Sequence, residues 1–260
     1  MKLLSCAICG PGRIRSENQD NFYLNGTYRQ NPADMQIQRA QRHDSAAALY
    51  AVADGMGGEK YGEVASLMAV RAMDALRRSG RGQDLTHYLL ERNAEICDFI
   101  RQNHGVRSGS TFVGLCICGA SAALVNIGDS RGYLFRDGSL SQLSRDHTAV
   151  WQMIRLGAIT PEKARVHPDR HKLTQHLGIF PDEMVIEPYE AAGTVRDGDL
   201  FLLCSDGITD MLEDKDISRL LCADESPEAA AEGLFSAATA AGGRDNITVL
   251  LVRAEKDETR

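Results

Sequence analysis

Short apolar runs bounded by Gly, Asp or Ser dominate the chain. They cover residues 2–9, 47–53, 111–118, 121–127, 132–135, 199–204 and 247–252, and many are rich in β-branched or aromatic side chains. Runs of this length and composition predict strands. Arg136-Asp137-Gly138 supplies a hairpin turn signal among them. Two stretches break the pattern with helical periodicity. Residues 59–79 place Val64, Leu67, Met68, Met73 and Leu76 near one face, and residues 84–103 do the same with Leu89, Ile96 and Phe99. Thr160-Pro161-Glu162 and Ser226-Pro227-Glu228 read as helix starts, each with a capping hydroxyl and Pro at the first helical position. Residues 25–45 are polar and patternless and predict a loop or excursion between strands. Residues 144–190 mix short helices with loop, carry His147, His167, His171 and His176, and suit a flap over a site. No repeat, low-complexity tract or linker is evident. The order (strands, a helix pair, more strands, then helices and a last strand) predicts a mostly antiparallel sheet structure covered by helices.

Composition narrows the function classes. The chain has 260 residues, 43% hydrophobic and 25% charged, with a net charge of −7. That length supports a sizeable core. An acidic chain has no general attraction for nucleic acid or anionic membrane, and no run approaches transmembrane length. The seven cysteines are odd in number and mostly lie in apolar runs, as with Cys116 and Cys118, which predicts buried reduced thiols in a cytosolic protein. Cys6 and Cys9 form a CxxC without a second pair at zinc-site spacing, and strand alternation explains them as well. LLSC resembles a lipoprotein cleavage site, but only five residues precede Cys6, too few for the apolar stretch of a signal peptide. The expected location is the cytoplasm.

The aspartates carry the candidate chemistry. Asp137 and Asp197 follow Arg in RDG sequences and read as plain turns. Asp54 and Asp206 instead end apolar runs, in ALYAVADGMGG and DLFLLCSDG, and Asp129 does so in ALVNIGDSR. Asp245 and Asn246 open the last strand, and Asp20 follows Asn18 and Gln19. Carboxylates placed where strands leave a core are costly alone, and when they converge they repel and take up protons. A divalent cation resolves that conflict, and an all-oxygen donor set suits Mg2+ or Mn2+ better than zinc. The GMGG after Asp54 allows a tight turn; it equally allows the Gly55 carbonyl to approach an ion beside Asp54. Composition and spacing leave both the multi-carboxylate metal site and the ordinary turns open.

Taken in order, GRIRSENQD, VADGMGG, SGSTFVG, NIGDSRGYLF, LSRDHT with LTQHLG, LLCSDGITDML and GGRDNITVLLV resemble the motifs of the PP2C (PPM) metal-dependent protein phosphatases, bacterial type. The resemblance runs nearly end to end. It implies an α+β fold, a four-layer α-β-β-α sandwich of two antiparallel sheets flanked by helix pairs. It implies a phosphatase domain over residues 1–254, with a flap at about 144–190, and a polar tail over 255–260. It implies hydrolysis of phosphoserine and phosphothreonine esters by metal-activated water without a phosphoenzyme. Mn2+ or Mg2+ would occupy two core positions at one end of the sandwich. Asp54 would bridge both ions, Asp206 and Asp245 would complete one, and the Gly55 carbonyl would complete the other. Asp20 would act on the second ion through water, and Arg15 would bind the substrate phosphate. Bacterial members can bind a third ion, at positions matching Asp129 and Asp206. Arg15, Asp20 and Asp54 are thus the expected catalytic residues. The implied partners are phosphoproteins made by a serine/threonine kinase, acted on by a monomer.

Two departures stand out. Gln19 replaces a common Glu near the second ion, and Met56 replaces a His proposed as general acid in many eukaryotic members, which leaves the proton donor unassigned. Ser130 and Ser205 flank key aspartates but lack a GxSxG setting, and the flap histidines read mainly as packing or surface residues. Two rival functions remain: a catalytically silent PP2C-like regulatory domain, and a hydrolase of non-protein phosphate esters.

Overall fold

The computed structural model describes residues 1–44, 47–56, 61–79, 84–103, 107–223 and 226–256. Fourteen strands and seven helices follow one another among these residues. The first group is β1 (Lys2–Gly10), β2 (Asn21–Leu24), β3 (Thr27–Tyr28), β4 (Ile37–Asp44), β5 (Ala48–Ala53) and β6 (Gly55–Met56), then α1 (Gly62–Ser79) and α2 (Leu85–Gln102). The middle is β7 (Gly109–Ser110), β8 (Phe112–Cys118), β9 (Ser121–Ile127), β10 (Arg131–Arg136) and β11 (Ser139–Gln142), then α3 (Ala149–Arg155) and α4 (Pro161–Arg165). The last group is β12 (Tyr189–Thr194), β13 (Leu200–Cys204), α5 (Asp206–Thr209), α6 (Asp214–Ala223), α7 (Pro227–Ala240) and β14 (Ile247–Glu255).

Two six-stranded sheets form the centre, in the orders β11-β10-β13-β14-β1-β4 and β12-β9-β8-β5-β2-β3, and their paired strands are antiparallel. Alternation along each strand explains the layering. Ala7, Leu203 and Leu250 face Phe22, Val52 and Val113 across the gap between the sheets. The residues between them on the same strands face outward. Cys6, Leu202 and Leu251 pack with Ile217 of α6 and Leu234 of α7. Leu49, Ala51 and Ala53 pack with Ala69, Met73 and Leu76 of α1 and Leu89 and Ile96 of α2. Central strands are therefore apolar on both faces, which is why they read as continuous runs instead of alternating ones. The expected four-layer sandwich is present.

Several expectations are refined. Helix α1 begins at Gly62; Glu59 and Lys60, where the periodicity begins, lie outside the described residues. Thr160 and Ser226 cap α4 and α7, accepting from Lys163 N and Ala229 N at 3.4 and 3.1 Å, with Pro next in each case. Asp137 (φ 51°) and Gly138 (φ 77°) form the two-residue turn between Arg136 and Ser139, which are paired. Strand β14 runs through Glu255, three residues beyond the run of 247–252 read from sequence. The loop expected over residues 25–45 is corrected: it contains β3 and the eight-residue β4. Strand β4 lies at a sheet edge, pairs with β1 from Ile37 to Asp44, and exposes Gln38, Arg39 and Ala40. An edge strand needs few apolar side chains because backbone hydrogen bonds to β1 hold it, and its charges discourage pairing with other chains.

Candidate active site

Antiparallel pairing gathers the sequence-predicted acids at one end of the sandwich. The end of β13 adjoins the start of β14, with Cys204 opposite Val249, so Asp206 and Asp245 emerge side by side. The ends of β5 and β9 flank the start of β8, which brings Asp54 and Asp129 to the same edge. Close backbone approaches tighten this end. A Cβ on Gly207 would lie 1.9 Å from the Asn246 carbonyl oxygen, so only glycine lets α5 rest on the start of β14. A Cβ on Gly55 would lie 2.1 Å from the Gly62 oxygen, which explains a glycine where β6 meets α1.

The loop 11–20 is latched to the same place. Asn246 Oδ1 accepts from Gln19 N at 2.8 Å, and its Nδ2 donates to the Glu17 oxygen at 2.7 Å. The Arg29 guanidinium, 1% exposed, donates to the carbonyls of Asn18 and Asp20 at 2.6 and 2.8 Å. Arg29 and Asn246 thus position the first motif; neither was assigned a role from sequence. The buried Arg29 sits in a polar stretch and gave no local signal. The Thr111 hydroxyl accepts from Asp54 N at 3.0 Å and lies 2.7 Å from the Ser130 hydroxyl, joining the Asp54 and Asp129 loops.

Electrostatics set this cluster apart from ordinary turns. Asp20 is fully buried. Its Oδ2 accepts from Ser205 Oγ and Thr248 Oγ1, both at 2.7 Å, while its Oδ1 is buried without a hydrogen-bond partner. Burial, opposed by the two hydroxyl bonds and reinforced by Asp206 and Asp245, pushes this carboxyl up to about 7. Asp54 is half-buried by surface but densely enclosed by protein. That enclosure, then the charges of Asp20, Asp206, Asp245 and Asp129, raises its carboxyl well above the usual range. Asp129 is raised chiefly by burial and then by Asp206 and Asp146. Asp206 also holds a buried oxygen, Oδ1, with no partner. Arg15 reaches across the rim to Asp245, Nη2 to Oδ2 at 2.7 Å, both side chains being well exposed. Asp137 stays in its hairpin turn, and Asp197 Oδ1 accepts from Lys256 N at 2.7 Å, so both remain plain turn residues.

The neighbouring groups separate into supports and site residues. Ser205 donates its one hydroxyl proton to Asp20 and accepts from Thr248 N at 3.0 Å, so it is oriented away from nucleophilic work. His147 Nδ1 accepts from Gly128 N at 3.1 Å, and His176 Nδ1 lies 3.0 Å from the Leu177 oxygen; burial lowers both imidazoles. His171 differs from the surface or packing role expected of the flap histidines. Its Nδ1 lies 3.7 Å from Asp206 Oδ2 and its Nε2 3.3 Å from Asp210 Oδ2. Neither His171 nor Asp210 had been grouped with the acids, because only the fold brings residue 171 against α5. A cleft of about 1160 Å3 opens here, lined by Asp129, His171, Asp206 and Asp210 with Arg170 and Arg244.

The donor set fits divalent cations that take oxygen ligands. Five carboxylates converge, two carry buried oxygens with no hydrogen-bond partner, and the raised carboxyls report burial first and mutual repulsion second, both of which cations would relieve.

Comparison with known proteins gives this geometry a family. A family model described as Protein phosphatase 2C matches residues 26–232. Serine/threonine protein phosphatase PstP of Mycobacterium tuberculosis is 37% identical over 227 residues, covering 84% of this chain but 43% of that protein. The chain therefore spans less than half of PstP. Serine/threonine phosphatase stp of Listeria monocytogenes is 33% identical over 258 residues, covering 96% of this chain and 94% of that protein. The crystal structure of the PstP catalytic domain in complex with two manganese ions superposes with a TM-score of 0.80 at 30% identity, covering 98% of this chain and 100% of that one. With the profile match spanning most of its length, the chain belongs to the protein phosphatase 2C family.

Proposed function

We propose that this protein is a metal-dependent serine/threonine protein phosphatase, hydrolysing phosphoserine and phosphothreonine esters without a phosphoenzyme. The observation that carries this reading is the convergence of Asp20, Asp54, Asp129, Asp206 and Asp245 at one end of the sandwich, with buried carboxylate oxygens unpaired. A solved relative with two manganese ions supports Mn2+ or Mg2+ as the cofactor. Asp54, Asp206, Asp245 and the Gly55 carbonyl would hold two core ions, with Asp20 acting through water and Asp129 with Asp206 serving a third. Divalent cations held there would offset the carboxylate charge and would supply water whose pKa is lowered towards neutrality.

The protein groups do the rest. Asp20, held by Ser205 and Thr248, orients water at the buried end of the cluster. Arg15 is released readily from its exposed pair with Asp245, since such a pair contributes at most about 1 kcal/mol. Its planar fork then grips phosphate oxygens equally in the bound ester and as water displaces the seryl or threonyl oxygen. Residues 144–190, which line the cleft through Trp151, Arg165 and Arg170, serve as the flap within a phosphatase domain of residues 1–254. The presence of every expected acid weighs against a silent regulatory domain. Substrates are phosphoproteins made by a serine/threonine kinase, and the protein acts as a cytoplasmic monomer. The buried thiols of Cys6, Cys9, Cys97 and Cys204, none of them in a disulfide, are in keeping with that location, whereas Cys118 and Cys222 are exposed, which corrects the burial expected of Cys118.

The test is hydrolysis of a phosphothreonine peptide after chelator treatment. Activity should vanish in chelator and return with Mn2+ or Mg2+ but not with Zn2+. Asp54→Ala, Asp206→Ala and Asp245→Ala should each lose on the order of a hundredfold or more, while Asp137→Ala stays within about twofold. Full activity in chelator, or an Asp137→Ala loss equal to that of Asp54→Ala, overturns the reading.

A further inference from the structure

On the flap side of the acidic cluster an imidazole stands between two carboxylates. Asp206 opens α5 and Asp210 follows one turn later, so the two side chains share a helical face. His171, at the end of the 168–171 turn, faces both. Its Nδ1 and Asp206 Oδ2 are 3.7 Å apart, too far for a hydrogen bond, and its Nε2 and Asp210 Oδ2 are 3.3 Å apart. One donor atom from each of the three residues lies within 4.8 Å of the others. Donors around a divalent ion with bonds of about 2.1 Å stand about 3–4 Å apart, so small side-chain rotations complete the sphere. A second observation is independent of that spacing. Asp206 Oδ1 is buried with no hydrogen-bond partner, whereas its Oδ2 faces His171. The carboxylate thus presents one oxygen to each side.

We propose that His171, Asp206 and Asp210 form a divalent-cation site with one nitrogen donor, bridged through Asp206 to the oxygen-only cluster. This site differs from the Asp129–Asp206 pair implied by family resemblance, because its other two ligands, an imidazole and a second carboxylate, come from the flap turn and the end of α5. The nitrogen donor selects against Mg2+ and for transition ions, with Mn2+ accepted and later first-row ions bound more tightly. An ion held there ties the 168–171 turn to α5, so occupancy couples the flap to the metal cluster. The proposal rests on the metal-site reading of Asp206, and its test keeps the two apart.

The experiment is Mn2+ binding to the full chain, by equilibrium dialysis for stoichiometry and pulsed electron paramagnetic resonance for nitrogen ligation. Every other proposed ligand is oxygen, so 14N modulation reports an imidazole on Mn2+. Wild type should show 14N modulation. His171→Ala should lose it together with one equivalent of Mn2+, with an unchanged circular dichroism spectrum, because the side chain is 44% exposed. Asp210→Asn should weaken that equivalent by about tenfold or more and leave the others in place. His167→Ala should retain the nitrogen signal. Bound Mn2+ without 14N modulation in wild type, or the same modulation and stoichiometry in His171→Ala, overturns this site while leaving the oxygen-ligand reading intact. No Mn2+ bound by wild type overturns both.

Discussion

Asp20 provides a quantitative test of the claim that this end of the sandwich is built for cations. Its carboxyl is fully buried, accepts two hydroxyl bonds at Oδ2, and has no partner at Oδ1. Without cations, burial first and then the charges of Asp206 and Asp245 push it up to about 7 in the folded protein, against 3.8 for an ordinary aspartate. At about 1.4 kcal/mol per unit, that rise corresponds to about 4 kcal/mol. Because the folded-state value is raised, the associated stability is fully present below 3.8, declines as pH rises, and is gone above about 7. Asp20→Asn keeps an acceptor for Ser205 and Thr248 but cannot ionise. Its amide nitrogen, placed at the unpaired Oδ1 position, costs about 1–3 kcal/mol as a buried donor without a partner. The two effects roughly cancel at pH 5, where wild type has lost about 2 kcal/mol of that contribution. At pH 8, in chelator, the variant should be the more stable protein. The advantage should grow by about 2 kcal/mol between pH 5 and pH 8, or roughly 4–8 °C in melting temperature for a chain of this size. Saturating Mn2+ at pH 8 should reverse the order, because wild type gains more from cations than the variant does. Scanning fluorimetry of both proteins at the two pH values, with chelator and with Mn2+, measures all of this. A melting gap that does not change with pH, or one that widens in favour of wild type at pH 8 in chelator, would refute the reasoning.

Two further outcomes follow from the geometry. Arg15→Ala should raise KM for a phosphothreonine peptide about 10- to 100-fold, the scale of a lost charge-assisted bond, with kcat nearly unchanged and stability unaffected because its pair with Asp245 is exposed; steady-state kinetics with an unchanged KM would remove Arg15 from phosphate binding. Gly207→Ala should cost about 3 kcal/mol in urea unfolding, because its Cβ would sit 1.9 Å from the Asn246 oxygen. Gly119→Ala, which meets nothing within 4 Å and pays only for φ +59°, should cost about 1–2 kcal/mol, and equal losses at the two glycines would contradict the close α5–β14 approach.

Periodicity and motif order were enough to place the central strands, the α1–α2 pair, the capped starts of α4 and α7 and the layered architecture. Central strands buried on both faces leave a strong local signal, and a Thr-Pro or Ser-Pro cap acts within a few residues. The same locality separated Asp54 and Asp206, which end apolar strands, from the turn residues Asp137 and Asp197. Strand β4 escaped because an edge strand is held by backbone bonds to β1, which leave no side-chain pattern. Arg29 and Asn246 escaped for a related reason: their work is to bond carbonyls and amides of a loop that is distant in sequence in the case of Asn246, and no local pattern encodes such a partner. Tertiary structure alone brought Asp20 under Ser205 and Thr248, left two carboxylate oxygens buried and unpaired, and set His171 between Asp206 and Asp210. The sequence by itself thus determined which residues carry charge where strands leave the core. Their convergence, and the repulsion that calls for cations, was decided by the fold, because Coulomb energy depends on distances that only tertiary packing sets.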